Sequence, residues 1–209
     1  MNHSFSYLDK NVYLSERLKH WRKLWDGYLI DGKFYEDEFL NYTKSLQLNG
    51  TYIDIGANIG NHTLYWALFS AARSIACFEA LPRFSNILIE QLILNKVLHK
   101  CTIHPFGLSD NSEYVDITFF DSITPTWVER LDNVNISEPV TLIKIDVEGM
   151  EPKVLKGGLN IIKRNRPVIF AEASKKDQLD EIMDVLKPIG YKTTKNVFNH
   201  TPTYEIICE

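Results

Sequence analysis

Tyr52-Ile53-Asp54-Ile55-Gly56-Ala57-Asn58-Ile59-Gly60-Asn61 is the stretch that decides the fold of this chain. Its first half is largely apolar and predicts a strand, and the glycines that follow predict a loop that opens a helix. Because glycine has no side chain, a small-molecule cofactor can lie directly against such a loop. The stretch therefore predicts a strand–loop–helix unit that binds a cofactor.

The spacing and charge of this loop bear on which cofactor it binds. A dinucleotide loop reads G-x-G-x-x-G, but here Asn58 and Asn61 stand at the second and third glycine positions. The carboxylate of Asp54 would also repel the pyrophosphate of NAD. S-adenosylmethionine has no phosphate, and its ammonium and sulfonium groups are positive. The loop therefore favours S-adenosylmethionine over NAD.

A second acid supports a nucleoside site. Glu79 follows the apolar run 74–78, at the distance from Gly56 where a ribose-binding acid commonly ends the second strand. A carboxylate at this position can accept hydrogen bonds from both ribose hydroxyls. This role suits any adenosine cofactor, so Glu79 predicts a nucleoside site without identifying its type.

Strand-like and helix-like segments alternate from residue 51 onward. The predicted strands are 51–55, 74–78, 101–108, 114–119, 140–145 and 167–171, with 191–195 and 204–208 as a closing hairpin. The predicted helices are 61–72, 83–98, 151–164 and 175–186. This alternation predicts an α/β fold, with a mostly parallel sheet and helices on both faces. The hairpin predicts an antiparallel edge, and ligands are expected at the carboxyl ends of the strands.

Residues 1–50 precede this alternation and form a separate predicted unit. A helical stripe (Leu14, Leu18, Trp21, Trp25), a hairpin turn at Asp31-Gly32 and a second helix (Phe39, Leu40, Thr43, Leu46) are expected there. We therefore divide the chain into an N-terminal helical and hairpin cap, 1–50, and a Rossmann-like domain, 51–209. The cap either packs over one edge of the sheet or acts as a lid over the pocket.

Composition limits the classes of partner. The chain has 209 residues, a formal net charge of -4 and no long block of Lys and Arg, so nucleic acid is not an expected partner. No run approaches the length of about 20 apolar residues that spans a bilayer. The three scattered cysteines form no disulfide framework. With no recognisable signal peptide, these features favour a cytoplasmic protein. They leave the oligomeric state open.

A third acidic motif follows the predicted strand 140–145. Lys144-Ile145-Asp146-Val147-Glu148-Gly149 places two carboxylates at the carboxyl end of that strand, and Glu172 ends the next strand. These acids are expected beside the reactive face of the cofactor.

Together these motifs resemble the FkbM family of S-adenosylmethionine-dependent methyltransferases. The resemblance covers about residues 50–173, and its most specific part combines the motif at Asp146 with Val154-Leu155-Lys156-Gly157. It implies the class I methyltransferase fold, with seven strands of which the last is antiparallel. It also implies O-methyl transfer to a saccharide or another small hydroxylated metabolite.

The resemblance also implies roles for individual residues. Asp54, Gly56, Asn58 and Gly60 would hold the methionine part of S-adenosylmethionine, Glu79 the ribose, and Gly107 and Leu108 would lie near the adenine. Ala57, Asn61 and Ala80 complete the expected cofactor contacts. Asp146 and Glu148 would face the sulfonium and the acceptor hydroxyl. The family usually has proline where this chain has Ala80, a difference expected to alter the loop on the adenine side and to leave Glu79 in place.

An acceptor alcohol needs a base, and three carboxylates are candidates. Asp146 or Glu148 is the expected base, with Glu172 as a helper. The alternatives are cofactor orientation for Asp146, capping of a helix N-terminus for Glu148 and a structural hydrogen bond for Glu172. A magnesium site made by these acids with His62 or His104 is a lesser alternative, and we expect no metal. His62 begins the helix next to the loop, where a capping or surface role is preferred to ligand contact, and His104 is expected to be structural.

Two other functional classes remain open. A non-catalytic module could keep the fold to bind a cofactor or partner, and a nucleotide-linked oxidoreductase is disfavoured by the loop. The Asn/Asp-Pro-Pro-Tyr/Phe block of amine methyltransferases is absent from the sequence after strand 140–145, which favours an oxygen acceptor. Trp127, Tyr35 and Phe120 could stack on a sugar, although packing roles are the usual reading for such aromatic residues.

Overall fold

The computed structural model describes residues 3–20, 26–28, 30–119, 122–137 and 139–209. The α-helices whose full extent lies within these residues are α1 (Asp37–Ser45), α2 (Asn61–Phe69), α3 (Pro82–Leu94), α4 (Glu151–Gly157), α5 (Leu159–Asn165) and α6 (Lys176–Leu186). Its strands are β1 (His3–Tyr7), β2 (Lys10–Leu14), β3 (Thr51–Ile55), β4 (Ser74–Phe78), β5 (Cys101–His104), β6 (Gly107–Leu108), β7 (Glu113–Phe119), β8 (Ser122–Glu129), β9 (Val140–Ile145), β10 (Val168–Glu172), β11 (Tyr191–Phe198) and β12 (Thr203–Cys208).

A seven-stranded sheet forms the centre of the molecule, in the order β11-β12-β10-β9-β3-β4-β5. The pairs from β10 to β5 are parallel, whereas β12 is antiparallel to both of its neighbours. The class I fold with its antiparallel last strand is therefore confirmed. The expected antiparallel edge is confirmed as well, because β11 at the edge of the sheet pairs antiparallel with β12. The order of the hairpin was not predicted, and β12 inserts between β10 and β11.

The central strands are covered on both faces, as their apolar sequences require. All five residues of β3 are buried. Alternate side chains of this strand enter different cores, with Tyr52 on one face and Ile53 and Ile55 on the other. By the same alternation, Asp54 points to the face of Tyr52, where α2 packs.

The N-terminal residues differ from the prediction in two places. Leu14 ends the β1–β2 hairpin instead of lying on a helix, and Leu18 lies in a 3-10 helix. Near the expected turn at Asp31-Gly32, the amide of Asp31 donates to the Gly27 carbonyl at 3.2 Å, a helix-type bond, and residues 33–35 form no strand. The predicted second helix is confirmed as α1. Trp21 and Trp25 lie outside the described residues.

The N-terminal segment shares an apolar core with the sheet domain. Val12, Leu18 and Phe34 belong to the same buried cluster as Leu64 of α2 and Leu88 of α3. The described part of residues 1–50 thus packs onto the face of the sheet that carries α2 and α3. The division of the chain at residue 50 stays a prediction.

The predicted strand 101–108 is two strands in two sheets. Pro105 follows β5 and has no amide hydrogen for the ladder, so the chain leaves the central sheet at this point. Gly107–Leu108 then pairs with β8, which pairs with β7 to make a three-stranded sheet. Residues 122–129 were not predicted as a strand.

The predicted helix 151–164 is interrupted between α4 and α5. A β-carbon on Gly157 would lie 2.0 Å from the carbonyl oxygen of Ser109, so only glycine permits this close approach. Gly157, the last residue of α4, thus lets α4 and β6 pack together beside the carboxyl end of the sheet.

Among the described residues, no helix combines the length and the apolar character that crossing a bilayer requires.

Candidate functional site

The loop after β3 lies tightly against the loop after β9. Gly56 has a φ of 75°, and a β-carbon there would lie 1.9 Å from the Asp146 carbonyl oxygen. The amides of Gly56 and Ala57 both donate to the Phe78 carbonyl at 3.0 Å. Glycine is therefore required at position 56, and the ends of β3, β4 and β9 meet at one point.

The carboxylate of Glu79 is fixed at the end of β4 by two backbone amides. Its Oε2 accepts from Asn58 and its Oε1 accepts from Leu81, both at 2.8 Å. Burial raises the pKa of Glu79, and the two backbone hydrogen bonds oppose this shift. Each oxygen retains a second acceptor position, so the carboxylate can still receive hydroxyl donors.

Glu79 lies in an apolar cleft of about 250 Å³. We call it the apolar cleft and define it by six of the residues that line it: Glu79, Phe84, Gly107, Leu108, Ile117 and Val147. The predicted residues Ala80, Gly107 and Leu108 all line it. The lining also includes Leu81, Phe84, Ile117, Thr118 and Val147, which the sequence did not single out.

A second cleft of about 260 Å³ lies on the other side of Asp146. We define this acidic cleft by Tyr35, Glu36, His62, Asp146, Glu148 and Glu172. The two clefts share Gly56, Asn58, Asp146 and Glu148. A ligand that fills the apolar cleft and extends past Gly56 would therefore meet a second molecule in the acidic cleft at Asp146.

The structure brings the predicted cofactor residues together with two exceptions. Gly56, Asn58, Asp146, Ala57 and Asn61 line one or both clefts. Asp54 is fully buried beneath the loop, and Gly60 packs against Leu88 of α3. Neither Asp54 nor Gly60 lines either cleft, so we do not expect them to contact a ligand directly.

Asp54 instead supports the loop from below. Its Oδ2 accepts a hydrogen bond of 2.6 Å from the Thr63 hydroxyl, and its Oδ1 lies 3.4 Å from the ammonium of Lys144. Lys144 also lies 3.6 Å from Asp146 Oδ2 and donates to the Gly56 carbonyl at 3.0 Å. The sequence alone did not identify Lys144 as a site residue.

The charge of Lys144 balances the two aspartates. Burial alone would lower the pKa of Lys144, but the charges of Asp146 and Asp54 outweigh it and hold that pKa above its ordinary value. Burial would likewise raise the pKa of Asp146, but the Lys144 ammonium and a hydrogen bond with Glu172 lower it. Asp146 is therefore ionised at neutral pH.

Glu172 forms an acid pair with Asp146. Burial, followed by the negative charge of Asp146, raises the pKa of Glu172 to about 8. Since two adjacent carboxylates resist ionising together, the pair holds one proton at neutral pH, and Glu172 carries it.

Glu148 does not make the capping contacts considered for it. Its backbone has a φ of 56° and its side chain is exposed at the junction of the clefts. The amides of Val147 and Gly149 instead donate to Glu151, at 3.1 and 3.2 Å. Glu148 is thus left to face solvent or a ligand.

His62 is buried and paired with Glu36, so the expected surface position for it is wrong. Its Nε2 lies 2.7 Å from Glu36 Oε2, and only 9% of the His62 side chain is exposed. His62 lines the acidic cleft. His104 does not line this cleft; its ring stacks on that of Phe78, with 4.5 Å between the ring centroids. No group of three His, Cys, Asp or Glu side chains within the described ranges has a metal-binding arrangement. That the protein works without a metal stays a prediction.

Of the three aromatic residues considered for stacking on a sugar, the structure places one in a cleft. Tyr35 lines the acidic cleft. Trp127 lies in the three-stranded sheet, edge-on to Tyr114 at 5.2 Å, and Phe120 lies outside the described residues.

Comparisons with solved structures show the class I methyltransferase fold. An FkbM methyltransferase from Methylobacillus flagellatus KT is 22% identical with a TM-score of 0.61, over 76% of this chain and 43% of that one. A precorrin-6y C5,15-methyltransferase from Geobacter metallireducens GS-15 is 19% identical with a TM-score of 0.52, over 81% of this chain and 86% of that one. An S-adenosylmethionine-dependent O-methyltransferase from Thermotoga maritima is 12% identical with a TM-score of 0.51, over 82% of this chain and 64% of that one.

The present chain spans less than half of the Methylobacillus protein. Structural neighbours also include proteins described as candidate RNA methyltransferases, so the exclusion of nucleic acid stays a prediction. A comparison with curated protein sequences gave no significant match. The family model of the methyltransferase FkbM domain matches residues 54–193, about two-thirds of the sequence. The chain belongs to the FkbM family of methyltransferase domains.

Proposed function

We propose that this chain transfers the methyl group of S-adenosylmethionine to a hydroxyl of a small hydroxylated molecule, a saccharide being the preferred class. The observation that carries the proposal is the junction of the two clefts at Asp146. One cleft is apolar and carries a fixed carboxylate at Glu79, and the other is lined with acids.

The residues of the apolar cleft fit the adenosine part of this donor. Phe84 and Leu108 offer apolar surface for adenine, and Glu79 offers oxygens for the two ribose hydroxyls. The turn at Gly56 leaves no room for a side chain, so a ligand can approach its backbone closely. The acids near Asp146 suit a donor that carries positive charge and no phosphate.

The remaining requirement is to align the acceptor and remove its proton. When bound, S-adenosylmethionine supplies an electrophilic methyl group on a positive sulfur. An acceptor hydroxyl in the acidic cleft would form the new C–O bond while the C–S bond breaks and its electron pair stays on sulfur. Asp146, held ionised by Lys144, takes the hydroxyl proton. Alignment of acceptor and donor by the two clefts supplies much of the rate acceleration.

Glu148 and Glu172 have supporting roles in this scheme. Glu148 faces the same junction and is the second candidate base. Glu172 carries a proton at neutral pH, so it donates to Asp146 and keeps that carboxylate oriented. Neither role requires a metal, and we propose that activity persists in the presence of EDTA.

The test combines cofactor binding with methyl transfer. Calorimetric titration with S-adenosylhomocysteine should show saturable binding, while NADH should show none. Radiolabelled S-adenosylmethionine should then transfer its methyl group to members of a saccharide panel. Asp146→Asn and Glu148→Gln separate the two candidate bases in single-turnover rates. Binding of S-adenosylhomocysteine without transfer to any acceptor would favour the non-catalytic alternative, and no binding would reject the proposal.

A further inference from the structure

The wall of the acidic cleft that faces the acid pair comes from the N-terminal segment. Tyr35 and Glu36, immediately before α1, line the cleft together with Asp146 and Glu172. Tyr35 as a whole residue is 45% exposed, although it lines the cleft. Among the described residues its phenolic hydroxyl makes no hydrogen bond, so it is a free donor on this wall.

Two adjacent residues of α2 hold this wall in place. The Asn61 side chain donates to the Tyr35 carbonyl at 2.9 Å and accepts from the Tyr28 hydroxyl at 2.6 Å. The next residue, His62, pairs with Glu36 at 2.7 Å. Because α2 begins directly after the Gly56 loop, the position of Tyr35 is tied to the loop that would hold the donor.

The backbone of Glu36 indicates that its position is imposed by these contacts. Glu36 has a φ of 60°, in the left-handed region that side chains other than glycine rarely adopt. Such a conformation persists only where the surrounding structure stabilises it, and it is common at ligand sites. Two contacts hold Glu36: its side chain pairs with His62 at 2.7 Å, and its carbonyl accepts from the Leu40 amide at 3.0 Å.

Charge in the acidic cleft selects against anionic molecules. Glu36, Asp146 and Glu148 contribute carboxylates to its lining. The cations of the same lining already face acids, since Lys144 lies beside Asp54 and Asp146, and His62 beside Glu36. A phosphate or carboxylate on the acceptor would find no free partner there and would be repelled.

We infer that Tyr35 contacts the acceptor and that the acceptor is an uncharged hydroxyl compound seated between Tyr35 and Asp146. A hydroxyl is suited to this seat because it accepts a hydrogen bond from the Tyr35 phenol while it donates its proton to Asp146. Glu36 and His62 are positioning residues that act through Tyr35. This inference rests on the proposed methyl transfer and adds a contacting residue and a charge class to it.

The first experiment compares neutral and anionic acceptors with the wild-type chain. The neutral probes are the methyl glycosides of glucose, galactose and rhamnose, and the anionic probes are glucose 6-phosphate and glucuronate. We expect methyl transfer to at least one neutral probe and at least about tenfold lower kcat/KM for the anionic ones. Preference for an anionic probe, or no transfer to any neutral one, overturns the inference.

The second experiment tests the residue itself. Tyr35→Phe removes only the phenolic hydroxyl and should raise the acceptor KM about tenfold, the loss expected for one hydrogen bond. Affinity for S-adenosylhomocysteine should stay within about twofold, because Tyr35 does not line the apolar cleft. Tyr114→Phe, an exposed tyrosine of the three-stranded sheet, is the matched control and should change neither quantity.

The positioning role has its own readout. Glu36→Gln and His62→Gln should each raise the acceptor KM more than they change S-adenosylhomocysteine affinity, and combining either with Tyr35→Phe should add little. Unchanged KM in Tyr35→Phe, with wild-type transfer intact, refutes the role of Tyr35 and leaves the proposed function standing. Failure of the wild type to bind S-adenosylhomocysteine would instead reject the proposed function.

Discussion

The ammonium of Lys144 lies 3.4 Å from the carboxylate of Asp54, and both side chains are almost completely buried. Lys144 sits at the end of β9 and Asp54 at the end of β3, so the pair joins the two central strands beneath the Gly56 loop. The same ammonium reaches Asp146 and the Gly56 carbonyl. One buried cation thus organises both the loop and the acid at the junction of the clefts.

Replacing Lys144 with methionine should destabilise the fold strongly. The variant keeps the length of the side chain but leaves Asp54 buried without a counter-charge, and breaking such a pair costs about 3–5 kcal/mol. Urea denaturation measures the loss. Lys153→Met, at an exposed position of α4, is the control and should stay within about 0.5 kcal/mol of wild type. A loss for Lys144→Met as small as that of the control would show that the buried pair is not needed.

Gly56→Ala should abolish donor binding. The added β-carbon would meet the Asp146 carbonyl oxygen at 1.9 Å and the backbone would be strained at a φ of 75°. The β3 and β9 loops must then separate, and we expect affinity for S-adenosylhomocysteine to fall at least about a hundredfold. Gly27→Ala is the matched control, since among the described residues no atom outside its own neighbouring backbone lies within 4 Å of its added β-carbon. Normal binding by Gly56→Ala would mean that the donor does not use this loop.

Glu79→Gln should weaken donor binding without unfolding the chain. The carboxylate accepts two backbone amides at 2.8 Å and would accept the ribose hydroxyls as well. Hydrogen bonds to a charged group contribute about 1.5–3 kcal/mol, so affinity for S-adenosylhomocysteine should fall about ten- to a hundredfold. Calorimetry measures this, and the exposed Glu113→Gln serves as control. Equal affinities in the two variants would rule out a ribose role for Glu79.

The acid pair predicts how stability depends on pH. Glu172 has a folded pKa of about 8 against an ordinary value of 4.5. Between these two values the unfolded chain releases the proton that the folded chain keeps, so this contribution to stability falls as pH rises and is lost above about pH 8. Glu172→Gln cannot ionise, so its stability relative to wild type should increase from pH 5 to pH 9.

We expect this relative gain to be about 1 kcal/mol, because Glu172 is partly exposed and solvent screens the effect. Thermal unfolding across the pH range measures it. Glu181→Gln, an exposed position on α6, should show no such trend. A constant difference between Glu172→Gln and wild type would mean that Glu172 ionises like an ordinary carboxyl group.

The parts of the fold that follow from local sequence signals were predicted well. The apolar runs of β3, β4 and β9 and the glycines at the end of β3 determine where the parallel sheet lies and where its ligands bind. Pro105 carried a usable signal for the end of β5, since proline cannot donate to the ladder. The sequence did not predict where β12 inserts, because strand order depends on packing between segments distant in the chain.

The sequence predicted which residues form the site better than it predicted how those residues are buried and paired. The acids Glu79, Asp146 and Glu148 were placed at the strand ends where the structure has them. Burial of Asp54 and its pairing with Lys144 were missed, although alternation along β3 turns Asp54 toward α2 and away from the loop surface. The pairing of Glu36 with His62 could not be predicted, since these residues meet only through the packing of the N-terminal segment on α2.

The central claim is that the two clefts hold a phosphate-free adenosine donor with its reactive end at Asp146. A crystal structure of the chain with S-adenosylhomocysteine tests it most directly. We predict adenine beside Leu108 and Phe84, both ribose hydroxyls on the Glu79 carboxylate, and the sulfur at the junction facing Asp146. A ligand outside these clefts, or a sulfur directed away from the acid pair of Asp146 and Glu172, would contradict the account.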